Sequence, residues 1–154
     1  MLIKEGVLNN PEVDFLIAQH VTPQIETGKI GFKKGLFMAS TDELYLTVKG
    51  KGGHAAMPNT YINPLIIASA ILTKLHQFFM IDKEENEHKI PNVLAFGKIE
   101  GNGATNVIPD EVKIAGTFRT LDETWRKKAH ESIIEIANTI AKEFGGNCLV
   151  EIRV

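Results

Sequence analysis

Four side chains in this 154-residue chain stand where the surrounding sequence can hold them for chemistry: His20, His54, Asn106 and Arg119. His20 directly follows the apolar run Val13-Asp-Phe-Leu-Ile-Ala18 and precedes Val21-Thr22-Pro23. That is the carboxyl end of an expected buried strand, where α/β sheets place ligands and metals; an exposed or purely structural histidine is the competing reading. His54 lies in Gly50-Lys-Gly-Gly-His-Ala-Ala56, where glycines permit backbone shapes closed to other residues and can make an imidazole project. A plain glycine turn with an exposed histidine accounts for the same spacing. Asn106 opens the proline-terminated turn Asn106-Val-Ile-Pro109, and Arg119 ends a strand pattern on the face opposite Val112, Ile114 and Phe118. An imidazole can ligate a metal or handle a proton near neutral pH, and a guanidinium can grip a carboxylate with two parallel hydrogen bonds. For Arg119 a surface ion pair is the alternative.

The elements that must position these groups follow from periodicity. Glu43 to Lys49 alternates with period two and sets Leu44, Leu46 and Val48 on one face, a half-buried strand. After the glycine turn, Asn63-Pro64 supplies an N-cap and a first-turn proline for a helix running to about Phe79. Pro91 closes a polar loop in which Asp82 to His88 reads as solvated. Asn92 to Glu100 and Glu111 to Thr120 are strand-like and separated by turn signals. Thr120-Leu-Asp-Glu123 fits a capping box before a helix carrying Trp125, Ala129, Ile133, Ile136, Ala137, Ile140 and Phe144, which Gly145-Gly146 ends. Asn147 to Val154 is a last strand. The order predicts an α+β, ferredoxin-like β-α-β-β-α-β plait, a four-stranded antiparallel sheet with two helices on one face. Before it, residues 1–40 read as a partial α/β segment, the edge of another domain, and the plait occupies 41–154.

Composition narrows the function classes. Lys+Arg 17 against Asp+Glu 19 gives a formal net charge of -2, which argues against a nucleic-acid partner; the aromatic strand motif of RNA-recognition domains is also missing. The single cysteine, Cys148, excludes an internal disulfide framework and a cysteine-rich zinc site, and points to a reducing, cytoplasmic setting. The apolar stretch Leu65 to Phe79 is interrupted by Ser69, Thr73, Lys74, His76 and Gln77, unlike a membrane span.

The stretches Phe37-Met-Ala-Ser-Thr-Asp-Glu43, Lys49-Gly-Lys-Gly-Gly-His-Ala-Ala-Met-Pro58, Gly97-Lys-Ile-Glu-Gly101, Thr105-Asn-Val-Ile-Pro-Asp110 and Gly116-Thr-Phe-Arg-Thr120 together resemble the M20 family of metallopeptidases and amidohydrolases. The resemblance is to the branch that hydrolyses N-acyl amino acids, and it spans essentially the whole chain: residues 1–40 resemble the end of the catalytic domain and 41–154 the lid, or dimerisation, domain. It implies that His20 is a ligand of one metal in a two-metal site. It implies also that His54 reaches into the partner subunit's site to polarise the scissile carbonyl, that Asn106 positions substrate, and that Arg119 grips the amino-acid carboxylate. The implied cofactor is a divalent pair, zinc first, with manganese, cobalt or nickel as alternatives. The family's other metal ligands, its paired glutamates and its last histidine are absent, so the expectation is a truncated form, inactive alone and holding no metal tightly. A stand-alone dimerisation or interaction module without catalysis is the rival from another class.

The expected homodimer follows from surplus apolar surface. Asn92 to Glu100 carries apolar residues on both faces of an edge strand, and Leu65 to Phe79 has more of them than packing on its own sheet requires. Two copies are thus expected to pair these strands antiparallel and pack these helices together.

Overall fold

The computed structural model describes residues 2–81 and 91–154; the expected loop from Asp82 to His88 lies outside the described residues. The chain divides into two compact units, one ending at Gly35 and one from Leu36 to Val154.

The larger unit is built on an antiparallel sheet. Strand β1 (Ser40–Lys49) leads through a two-residue strand β2 (Gly53–His54) to helix α1 (Pro64–His76), followed by a π-helical turn over Gln77–Ile81. Next come β3 (Asn92–Glu100), the short β4 (Val107–Ile108), β5 (Glu111–Thr120), helix α2 (Glu123–Glu143) and β6 (Asn147–Arg153). The four long strands are ordered β3-β5-β1-β6, the antiparallel plait expected from the element order. β3 and β6 are the edges.

Alternation builds the core. Leu44, Leu46 and Val48 of β1, with Val112, Ile114 and Phe118 of β5, are buried against Ile67, Ile71 and Leu75 of α1 and Trp125, Ala129, Ile133, Ala137 and Ala141 of α2. The π-helical turn inserts Phe79 between Phe118 and Trp125, with ring centroids 5.6 and 5.9 Å away. Asn63 caps α1 by accepting the Leu65 N–H at 3.0 Å. Gly145, at φ 77°, closes α2, with the Gly146 N–H donating to the Ala141 carbonyl at 2.8 Å, an arrangement open to glycine because it has no Cβ.

Several expectations need correction. The α2 cap is Asp122, whose carboxylate accepts the Trp125 N–H at 2.6 Å; Thr120 is still the last, buried residue of β5 and hydrogen-bonds the Asp122 N–H instead. Strand β1 begins at Ser40, earlier than its apolar alternation, because Asp42 takes a core position. β3 carries a bulge, its register against β5 shifting between Phe96 and Lys98. In the smaller unit Val13 to Ala18 is not a strand: no ladder partner is present among the described residues, and Phe15, Leu16 and Ile17 are exposed.

Candidate functional site

His54 is placed by a small ribbon beyond the end of the main sheet. β2 pairs antiparallel with β4, Gly53 opposite Ile108 and His54 opposite Val107. The Ala55 N–H donates to the Asn106 carbonyl at 3.0 Å. Thr105 and Asn106 form the tip of a tight turn closed by Ala104 and Val107, which exchange hydrogen bonds of 3.0 and 3.1 Å. The fold therefore brings His54 and Asn106 together, both exposed. The loop glycines serve close approach rather than unusual dihedrals, since none has positive φ. A Cβ on Gly50 would lie 2.1 Å from the Ile62 carbonyl oxygen, and one on Gly52 2.8 Å from that of Ile108.

The imidazole of His54 has a defined polarity. Its Nδ1 accepts the Ala56 N–H at 3.1 Å, so the neutral ring carries its proton on Nε2 and presents a donor outward. His20, in the smaller unit, has the opposite arrangement. Its Nδ1 is hydrogen-bonded to the Val21 carbonyl, which only accepts; Nδ1 holds the proton and Nε2 keeps its lone pair, the form a metal takes. Among the described residues no three His, Cys, Asp or Glu side chains gather as a metal site. These residues do not by themselves fit a metal pair.

Arg119 stands at the other end of the sheet. It pairs with Thr41 on β1 and Val93 on β3, whereas Glu111, beside the His54 ribbon, pairs with Lys49. Arg119 lies eight steps along β5 from Glu111, roughly 26 Å at about 3.3 Å per residue. Arg119 is exposed and forms no ion pair among the described residues. His54 and Arg119 of one chain therefore stand at opposite ends of the sheet.

One cluster escaped the reading of the residues. Asp42, fully buried, accepts hydrogen bonds from Arg126 Nε at 3.1 and 2.9 Å, from a second guanidinium nitrogen, and from His130 Nε2 at 2.8 Å. Burial alone would raise its pKa, but the hydrogen bonds and charges of Arg126 and His130 hold the carboxyl below its ordinary value. The available signal was Arg126 and His130 at i,i+4 on α2, on one helix face beside the start of β1.

The comparisons with known proteins agree with this architecture. Residues 41–145 match the family model described as the peptidase dimerisation domain. The chain belongs to the M20 family. It is 34% identical over 146 residues to an N-acyl-L-amino acid amidohydrolase of Geobacillus stearothermophilus, covering 95% of this chain and 38% of that protein. A solved structure described as an aminohydrolase from methicillin-resistant Staphylococcus aureus superposes with a TM-score of 0.81 at 26% identity, over 99% of this chain and 39% of that one. A dinuclear metal-binding M20 peptidase of Bacillus subtilis gives a TM-score of 0.69 at 26% identity, over 98% and 35%. The chain thus spans 38% of the curated relative's length, and its plait is the M20 dimerisation domain, the identity its motifs suggested. No helix among the described residues is long and apolar enough to cross a membrane.

Proposed function

We propose that this chain is the lid and dimerisation part of a cytoplasmic, metal-dependent amidohydrolase acting on N-acyl amino acids or short peptides, with residues 1–40 the end of its metal-binding domain. The observation that carries the reading is the placement of His54 and Asn106 at one end of the sheet and Arg119 at the other. A two-fold axis through paired β3 edges turns one sheet end for end relative to the other. The Arg119 end of one copy then lies beside the His54 end of its mate, and a site incomplete in either copy becomes complete in the dimer.

In that composite site the His54 Nε2–H donates to the scissile carbonyl and to the oxyanion that develops from it, a contribution that strengthens as charge builds. Asn106 holds the substrate amide alongside. The partner's Arg119 takes the carboxylate through its planar fork. In the full-length enzyme His20 would be one ligand of a divalent pair, zinc or else manganese, cobalt or nickel, which would activate the attacking water; its remaining ligands would come from other residues of that enzyme. The β3 edge is suited to pairing, with Val93 and Ile99 about half exposed, and Leu65 and Ile66 of α1 extend the apolar surface.

Two measurements test this. Light scattering at tens of micromolar should give a dimer, and Val93→Lys, which puts a charge among the exposed apolar residues of the β3 edge, should give a monomer. In a polypeptide joining this chain to its metal-binding half, His54→Ala and Arg119→Ala should each be nearly inactive. Mixing and re-annealing them should restore about a quarter of the wild-type rate, since half the dimers are mixed and each holds one intact site. Dimers without complementation would leave an interaction module and overturn the composite site.

A further inference from the structure

We propose that Asp110 is the positioning residue for His54, fixing the glycine loop so that the imidazole presents Nε2–H and not a lone pair. The inference rests on the reading of His54 as a donor to substrate. Asp110 touches neither substrate nor metal in that reading and acts through His54 alone.

Asp110 grips the loop at both ends. Its backbone carbonyl accepts the Gly50 N–H at 2.9 Å, and its carboxylate Oδ1 accepts the Gly52 N–H at 2.8 Å. A carboxylate bound to a backbone N–H is among the stronger protein hydrogen bonds. The closeness is built in: a Cβ on Gly52 would stand 2.9 Å from that Oδ1 and 2.8 Å from the Ile108 carbonyl oxygen, so only glycine admits the contact. From Gly52 the restraint passes directly along the chain, through Gly53 opposite Ile108 and His54 opposite Val107, to the Ala55 bond with Asn106. A ribbon with two residues per strand is marginal on its own; Lys51 and Ile62 exchange hydrogen bonds of 2.8 and 2.9 Å just before it, and the carboxylate tie is the side-chain restraint on Gly52 itself.

The tautomer depends on that hold. The Ala56 N–H reaches His54 Nδ1 only while the turn from His54 to Met57 keeps its shape, closed by the Met57 N–H on the His54 carbonyl at 2.9 Å. With the loop released, Nδ1 loses its donor and the ring is free to exchange between its two neutral tautomers, one of which presents a lone pair where the substrate carbonyl needs a proton.

The test uses the isolated chain, labelled with 15N. Long-range proton–nitrogen spectra of neutral His54 should show a protonated Nε2 and a bare Nδ1, and the Gly52 amide should exchange slowly. In Asp110→Ala the ring should show averaged tautomers and Gly52 should exchange about ten- to a hundredfold faster, with the unfolding midpoint seen by Trp125 fluorescence unchanged. Asp110→Asn retains the acceptor oxygen and should restore both signatures, which a general loss of stability would not do. If Asp110→Ala does not fold, Asp110→Glu carries the test, because the added methylene moves the carboxylate off Gly52. An unchanged His54 tautomer and unchanged Gly52 exchange in the folded variant overturn the proposal. Neither readout involves hydrolysis or dimers, so that outcome leaves the composite site standing, and failed complementation with intact signatures leaves Asp110 in its role.

Discussion

Replacing Asp42 by alanine is the sharpest test of how the lid is held together. Asp42 is fully buried, and its oxygens bind the guanidinium of Arg126 and the ring of His130, whose side chains are only 14% and 20% exposed. These bonds tie the start of β1 to the first turns of α2. The variant leaves Arg126 buried with Glu123, at 3.1 Å, as its side-chain partner among the described residues. Removing one partner of a buried pair costs about 3–5 kcal/mol, a large part of the roughly 5–15 kcal/mol that holds a domain folded. At about 4 °C per kcal/mol for a unit of this size, the midpoint should fall by roughly 12–20 °C. Acid gives an independent check. The Asp42 pKa is lowered in the folded state, so its contribution is present above the ordinary carboxylate pKa and is lost as pH falls through the folded value. Wild-type stability should therefore decline below about pH 4 more steeply than that of Asp42→Asn. Differential scanning calorimetry from pH 7 down to pH 2 measures both effects. A loss under about 1 kcal/mol, with parallel pH profiles, would refute the argument, since it would class the cluster with hydrated surface pairs.

The remaining expectations are briefer. Gly50→Ala should destabilise the larger unit by about 1–3 kcal/mol in urea unfolding, because its Cβ would meet the Ile62 carbonyl oxygen at 2.1 Å; an unchanged midpoint would show that the loop shifts freely. In the complete enzyme the near-loss of activity in Arg119→Ala should appear as a large rise in KM, with Arg119→Lys rescuing little for want of a planar fork, and substrates capped at the carboxylate should be indifferent to both changes. Calorimetric titration of the isolated chain with zinc should show weak binding only, since a catalytic zinc takes about three protein ligands; tight stoichiometric uptake would contradict the placement of the remaining ligands elsewhere.

The parts of the fold legible in the sequence were those whose pattern reports burial on one side. β3 and β5 span the residues that their composition and flanking turn signals gave them, and Asn63-Pro64 announced α1 by the capping seen in the structure. Polar residues inside the core broke the same rule. Asp42 continues the parity of Leu44, Leu46 and Val48, but a carboxylate reads as outward until Arg126 and His130 are brought to it from 84 and 88 residues away. The β2–β4 ribbon was invisible because two residues have no period. The bulge in β3 did leave a sign, Gly97 inside a strand, which marks such irregularities. Thr120 and Asp122 both suit an N-cap, and the choice between them depended on where β5 stops, a matter of pairing with Ser40 and Asn92. Val13 to Ala18 has the composition of a strand but forms one only when another strand supplies its ladder.

The candidate site was legible as residue types and not as an arrangement. Motif spacing marked His20 and His54 alike as histidines in special places, yet the backbone gives them opposite chemistry. A carbonyl oxygen against Nδ1 makes His20 a lone-pair donor at Nε2, and an amide against Nδ1 makes His54 a proton donor at the same atom. A metal-binding role for His54 would require the Ala56 N–H to release Nδ1 first, and a carbonyl-polarising role for a neutral His20 ring would require its proton to move from Nδ1 against the Val21 oxygen. The division of labour in the proposed enzyme is thus set by which backbone group, N–H or C=O, faces each ring. The sheet then sets the second constraint. His54 and Asn106 lie by the Glu111 end of β5 and Arg119 at its far end, so in the proposed enzyme carboxylate recognition and carbonyl polarisation would come from different copies, and the proposed pairing of β3 edges would then be part of the catalytic apparatus.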